Sequence, residues 1–332
     1  MRGRVVRTSH ESKCLRGNPL GDPHQRDIYV YLPPNYDGTR RFSVVMLLAG
    51  FGATNHSIAA WQPWKPNTIE LFDQLITDGQ CDPAILVLPD CFNRWGGSQF
   101  IDSDGTGRYQ TYLADEVFAW VDAELATIPK REARAVIGRS SGGFGALRLG
   151  MDRPDVVSVI GSHAGDAAFD VSMRPMLTSA AIAIDLAGGV LAFANEVPVS
   201  GPANATQFDA IFVLAAAGAY SPDPAGFPYA ELPVEPSTGE LRDDVWARWL
   251  DQDPLRRIAA SASALQAMSL IYMDAGNRDE HGLHFASRLL RDALRERGLP
   301  VRYEEYEGGH RGTSWRYETS LPQIVEALQG PE

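Results

Sequence analysis

Cysteine is scarce in this chain, long apolar runs are missing, and positive charge is outnumbered. The three cysteines, Cys14, Cys81 and Cys91, do not make an even disulfide framework. If the apolar run between Cys81 and Cys91 is a strand, the two lie roughly 25 Å apart at about 3.3 Å per residue. A disulfide needs Cα atoms within roughly 7 Å, so that pair is excluded, and free thiols suit a reducing compartment. With 42 acidic against 30 basic residues the net charge is −12, which argues against a nucleic-acid partner and against adhesion to an anionic membrane. The most apolar stretch, 180–194, is broken by Asp185 and by the pair Gly188 and Gly189. It falls short of a membrane span and reads as a buried or lid helix. The first 21 residues hold basic side chains but no apolar run of signal-peptide length. The expectation is a cytoplasmic protein acting on a small molecule, with a homo-oligomer left open by composition.

What is present is ordinary for a globular protein: 44% apolar and 22% charged residues in 332, enough to bury a sizeable core. There is no internal repeat and no low-complexity tract. Residues 26–34, 42–50, 84–90, 133–138 and 156–165 read as strands, and 68–79, 112–127 and 142–154 as helices between them. Continuous apolar strands alternating with helices indicate a mostly parallel sheet covered on both faces. The rhythm breaks over 167–255, which is rich in Ala, Pro and Gly, gives no clean strand and contains long loops such as 198–206 and 220–240. It resumes with a strand at 269–276, a helix at 284–298, a strand at 301–309 and a helix near 317–329. The simplest architecture is a single α/β domain, 1–332, with 167–255 inserted as a cap.

The stretch "RAVIGRSSGGFGALRLGM" (134–151) contains Gly138-Arg139-Ser140-Ser141-Gly142, a Gly-x-Ser-x-Gly pattern. With 31 glycines in the chain, about 0.2 such matches are expected by chance, so context decides. A strand before and a helix after are the context that lifts a serine hydroxyl to the top of a sheet on a strained turn. Only Ser140 has glycine at both −2 and +2, which makes it the nucleophile. The backbone N–H of Ser141, at the helix start, is then an oxyanion donor.

A serine needs a base, and the base needs a group that holds its tautomer. After such a turn these partners follow as acid, then histidine. His310, in the Gly-flanked loop of "EEYEGGHRGTSW", is the base. His281 and His284, three residues apart, read as a solvated helix start rather than metal ligands, since no third ligand accompanies them. Asp279, in the loop beyond the strand at 269–276, is the acid, with Glu280 and Asp274 as alternatives; Asp274 lies in the strand itself. The second oxyanion donor belongs to the loop after the strand at 42–50, where the amide of Phe51 stands between Gly50 and Gly52.

The stretches "YVYLPPNY", "LLAGFG", "VLPDCFNRWGGSQF", "TYLADEVFAWVDAEL", "GRSSGGFGALRLGMDRPD", "DAGNRDE" and "YEGGHRGTSWR" resemble the putative-esterase family of α/β-hydrolases. That group includes S-formylglutathione hydrolases (esterase D), enterochelin-esterase-like proteins, feruloyl-esterase modules and mycolyltransferases. The likeness covers about 26–165 and 268–326, and "RWGGSQFIDSDGTGRYQTYL" and "SHAGD" are most similar to the enterochelin-esterase-like branch. It implies an α/β-hydrolase fold, a triad of Ser140, Asp279 and His310, and oxyanion amides at Phe51 and Ser141. Many members carry Met after the nucleophile, whereas Ser141 stands here and leaves the amide intact.

The reading is a serine carboxylic-ester hydrolase that passes through an acyl-enzyme and needs no metal or organic cofactor. Trp95, Tyr109, Trp315 and cap aromatics are expected to line an apolar pocket, with Arg139 and Arg311 attracting an anionic substrate. Acyl transfer to an alcohol or thiol, or thioester hydrolysis, would use the same triad. A non-catalytic binding protein on the same fold is the alternative from another class.

Overall fold

The computed structural model describes residues 1–330; residues 331 and 332, the last two of the expected 1–332 domain, lie outside them. Eight strands form one sheet: β1 (Arg4–Glu11), β2 (Gln25–Leu32), β3 (Val44–Leu48), β4 (Ile85–Pro89), β7 (Arg134–Arg139), β8 (Val159–His163), β9 (Leu270–Gly276) and β10 (Val301–Tyr306). β5 (Asp102–Ser103) and β6 (Gly107–Arg108) make a separate short ribbon. The order across the sheet is β1-β2-β4-β3-β7-β8-β9-β10. β2 runs antiparallel to both its neighbours, and every pair from β4 to β10 is parallel.

The apolar runs explain this placement. In a strand successive side chains point to opposite faces, and here both faces are buried. Val44, Met46 and Leu48 of β3, with Ile85 and Val87 of β4, join a cluster with Leu113, Val117, Leu147 and Leu290. Val45, Leu47, Leu86 and Leu88 point the other way, into a cluster with Phe72, Leu321 and Ile324. The helix Thr68–Thr77 begins at Asn67, whose side chain accepts from the amides of Ile69 and Glu70 while Glu70 reaches back to the Asn67 amide. Such reciprocal capping fixes the helix start. The expected helix at 112–127 forms as a π-helical segment, Tyr112–Val117, leading into Phe118–Glu124.

Two parts of the expectation need correction. The N-terminal residues, not predicted to be structured, form edge strand β1, paired with β2 over its whole length. The segment between β8 and β9 is mostly helical rather than loop-dominated: Met176–Leu186, Val190–Ser200, Ala205–Tyr220 and Asp243–Leu250. Pro198 lies inside the second of these helices, so the loop expected at 198–206 shrinks to a few residues. The first two helices bend by 96° at Gly188 and Gly189, both at positive φ that other residues rarely adopt. These helices have a core of their own around Phe169, Phe193, Phe212, Trp246 and Trp249. Trp249 is fully buried, and its indole N–H donates to Ser221 Oγ at 2.8 Å. Residues 221–240 hold only a single bridge, Val234 to Leu241, beyond turns. Among the described residues no single helix is long and apolar enough to cross a membrane, and all three cysteines are free thiols.

Candidate active site

β7 delivers the chain to Ser140 at the carboxyl edge of the sheet, and the helix Ser141–Asp152 starts at the next residue. Ser140 has φ 56° and ψ −125°. A non-glycine residue in that region costs about 1–3 kcal/mol and persists only where its surroundings enforce it. They do so here: the Ser140 amide donates to the His163 carbonyl at 2.9 Å and the Phe144 amide to the Ser140 carbonyl at 3.0 Å. The glycines make the turn sterically feasible. A Cβ on Gly138 would sit 2.4 Å from the carbonyl carbon of Gly142, and one on Gly142 would sit 2.4 Å from the Leu48 oxygen.

The two serines part company at this turn. Ser140 is half-buried and faces a cavity. Ser141 is buried, and its hydroxyl donates to Asp166 Oδ2 at 3.0 Å. Its amide opens the helix, where first-turn N–H groups have no intrahelical acceptor.

His310 and Asp279 come from adjacent loops, after β10 and β9. The loops interlock: the Asn277 amide donates to the Tyr306 carbonyl at 2.8 Å and the Arg278 amide to Gly308 at 2.9 Å. Gly276 packs so closely that a Cβ there would lie 2.5 Å from the Gly308 oxygen. In this frame His310 Nδ1 lies 2.8 Å from Asp279 Oδ2. Asp279 Oδ1 accepts the His281 amide at 2.9 Å and the Leu283 amide at 3.5 Å. Burial pushes the Asp279 carboxyl up, but the hydrogen bond and charge of His310 and these amides outweigh it and hold the group below its ordinary value. Glu280 contributes differently, since its Oε2 accepts the backbone amide of His310 at 2.8 Å.

Asp274, the other alternative acid, is engaged elsewhere. It lies opposite His163 in the β8–β9 register, 2.8 Å from His163 Nδ1. His163 Nε2 lies 3.1 Å from Ser320 Oγ, which reproduces a Ser–His–Asp chain inside the core. Arg316 Nε donates to Asp274 at 2.8 Å, and its Nη2 donates to Glu304 at 2.7 Å. Ser320 and Asp274 are both fully buried, and neither lines the cavity that Ser140 faces. A hydroxyl no substrate reaches is a structural group, and this network ties the last helix to the sheet.

Ser140 and His310 line one cavity of about 400 Å³ together with Gly50, Phe51, Arg139 and Asp166. No hydrogen bond joins the hydroxyl to the imidazole. With Nδ1 facing Asp279, Nε2 is the nitrogen left for a hydroxyl, and such contacts often tighten only when substrate binds. The Gly52 amide donates to Gly96 and the Ala53 amide to Gly50, while the Phe51 amide has no acceptor among the described residues. The Phe51 ring lies edge-on to Phe208 and Phe212, with centroids 5.6 and 5.1 Å apart.

The three aromatic residues expected in the pocket are not in it. Trp95 is sealed in the helical core, 5.5 Å from the Phe227 ring. Tyr109 is fully buried and accepts from Arg26 Nη2 at 2.6 Å. Trp315 is half-exposed and packs on Tyr306 at 5.3 Å. The walls are instead Met173, Met176, Phe208, Phe212 and Leu283. Arg139 and Arg311 do border the cavity; Arg139 donates to Thr313 Oγ1 at 3.1 Å. His281 does not belong to a solvated helix start, because that helix begins at Leu283. Its ring stands edge-on to His310 at 5.0 Å, and burial, then the neighbouring His310, push its pKa down. Asp166 is the cavity residue hardest to read from sequence: it ends the stretch "SHAGD" (162–166), with only its place just after a central strand to mark it. Among the described residues no group of three potential metal ligands converges.

Residues 23–328 match the family described as Putative esterase. The chain is 27% identical over 213 residues to Esterase Rv1288 of Mycobacterium tuberculosis strain H37Rv and equally to Esterase MT1326 of strain CDC 1551. That match takes in 60% of this chain but 44% of those relatives, so the chain spans less than half of their length. Similar solved structures include a ferulic acid esterase, with a TM-score of 0.64, 18% identity, and 98% of this chain and 99% of the other covered. An S-formylglutathione hydrolase from Agrobacterium tumefaciens gives 0.60 at 16% identity, with 99% and 96% covered. FphF, a fluorophosphonate-binding serine hydrolase of Staphylococcus aureus, gives 0.62 at 14%, with 98% and 99% covered. At these identities the likeness is one of fold: a mostly parallel sheet in the α/β-hydrolase arrangement.

Proposed function

The chain belongs to the Putative esterase family of α/β-hydrolases, and from that premise we propose that it hydrolyses carboxylic esters with Ser140 as nucleophile, His310 as base and Asp279 as the group that orients the base. One observation carries the reading: His310, held 2.8 Å from Asp279, and the positive-φ Ser140 open on one cavity.

In the first step the Ser140 hydroxyl attacks the ester carbonyl and passes its proton to His310 Nε2. The carbonyl oxygen, now negative, is met by the amides of Phe51 and Ser141. Asp279 keeps the Nδ1 proton in place and stabilises the imidazolium. When the tetrahedral intermediate collapses, His310 gives the proton to the leaving alkoxide and an acyl-Ser140 ester remains. Water then repeats the sequence: His310 takes its proton, hydroxide adds to the acyl carbon, and the carboxylic acid leaves as Ser140 is reprotonated. The helical segment between β8 and β9 acts as the cap, because Ser172, Met173, Met176, Phe208 and Phe212 come from it to wall the cavity. The substrate is a small to medium ester with an apolar portion against these side chains.

The test is hydrolysis of p-nitrophenyl butanoate followed from the first milliseconds. A burst of one p-nitrophenolate per chain is expected if deacylation is slower than acylation, and His310→Ala lowers kcat by about 10⁴-fold or more because the triad acts as a unit. No ester turnover, or near-normal turnover in His310→Ala, would contradict the proposal.

A further inference from the structure

Asp166 is a carboxylate in an unusual position. It is 5% exposed, and one of its oxygens accepts a single hydrogen bond, from Ser141 Oγ. The other, Oδ1, meets no donor among the described residues, yet it is not a sealed orphan. It belongs to a residue that lines the same cavity as Ser140 and His310. Burying a carboxylate with half its acceptors unused is costly, and an asparagine would fill the space more cheaply. The charge of His310 offsets part of that cost, but among the described residues no side chain donates a hydrogen bond to Oδ1. Ser172 has spent its hydroxyl on the Ala167 carbonyl at 2.8 Å and Tyr220 has given its own to Gln99 at 3.3 Å. Met173, Met176, Phe212 and Leu283 have no strong donors. What the site lacks, a ligand must bring. Because Arg139 and Arg311 border the cavity, a cationic ligand would be repelled on entry, and a neutral donor suits it better.

Resting on the reading of Ser140 as nucleophile, we infer that Asp166 is a specificity residue whose free oxygen receives a hydroxyl carried by the substrate near its ester group, so that the preferred substrates are hydroxylated esters. Ser141 joins the two functions: its amide faces the developing oxyanion while its hydroxyl holds Asp166. A hydroxyl bound at Asp166 therefore fixes the ester relative to the oxyanion donors.

The test compares substrate pairs in which a hydroxyl replaces a methyl: 2-hydroxyethyl against propyl butanoate, and methyl 3-hydroxybutanoate against methyl 3-methylbutanoate. A buried charged acceptor discriminates against a partner that lacks the donor by about 10- to 100-fold in kcat/KM. That preference is expected in at least one pair. Asp166→Leu brings the ratio to near one, and Asp166→Asn, which keeps an acceptor oxygen, retains part of it. The wild-type ratio also falls as pH is lowered through about 6, where burial, opposed by Ser141 and His310 and reinforced by Asp279, has moved the Asp166 carboxyl. The groups facing it are Ser141, His310, Asp279 and Tyr220; proton uptake by His310 affects both members of a pair and cancels in the ratio. Ratios near one for both pairs in wild-type enzyme whose Ser140 reacts with a fluorophosphonate overturn this inference alone. An enzyme that resists the probe overturns the parent reading with it.

Discussion

Ser140 and Ser141 share a composition and a neighbourhood, and the backbone points their side chains in different directions. Positive φ turns the first toward the cavity, and helical φ turns the hydroxyl of the second onto Asp166. The burial of Asp166, which the Ser141 hydrogen bond only partly offsets, has a thermodynamic signature. The Asp166 carboxyl is raised to about 6 in the fold, against an unfolded value of about 3.9. Between those pH values the folded state holds a proton that the unfolded state has lost, so this group's contribution to stability falls as pH rises. Asp166→Asn removes the dependence. Its unfolding free energy relative to wild type should climb from pH 4 to 6 and level off above 7, by an amount on the order of 2–3 kcal/mol, as denaturant titrations at each pH would show. A pH-independent difference would refute the placement of this charge. The positive-φ turn at Ser140 was legible in the sequence because tight backbone approach demands glycine at fixed offsets. Asp166 was not, because one acid after a strand has no spacing partner to betray it. Asp274 lies within the strand and Asp279 in the loop beyond it, and the register shows what the first is for by setting it beside His163.

At the scale of elements, periodicity identified every central strand, since a run buried on both faces cannot be mistaken for a surface segment. β1 escaped because its sequence, RVVRTSHE, is that of an edge strand with mostly polar outward side chains. Trp95 and Tyr109 misled for a related reason: large aromatics bury wherever volume is available, and which core receives them depends on helices whose packing no local pattern reports. The helices between β8 and β9 instead bring Phe208 and Phe212 to the cavity, where both rings meet Phe51 edge-on. Truncating either ring lengthens the cavity beside Ser140. Phe208→Ala and Phe212→Ala should move the optimum acyl length in a series of p-nitrophenyl esters, from acetate to octanoate, toward longer chains. Phe212 is 6% exposed and Phe208 more so. Phe212→Ala is therefore the more destabilising, at about 3–5 kcal/mol. An unchanged length profile in both variants would mean that these helices do not shape the acyl or alcohol site.

Across the whole molecule the sheet does the assembling. β7, β9 and β10 are parallel members of it, so their carboxyl ends lie at one edge and their following loops meet there. Ser140, Asp279 and His310, remote in sequence, become neighbours because each follows one of those strands. That convergence was readable from chain order and strand pattern; the identity of the cavity wall was not, because it depends on how the inserted helices fold back. The proposed division of labour within the serine pair is tested by mass-spectrometric mapping of the residue modified by a fluorophosphonate. Modification of Ser140 alone is expected, abolished in Ser140→Ala and retained in Ser141→Ala. Modification of Ser141, or labelling that survives Ser140→Ala, would contradict it.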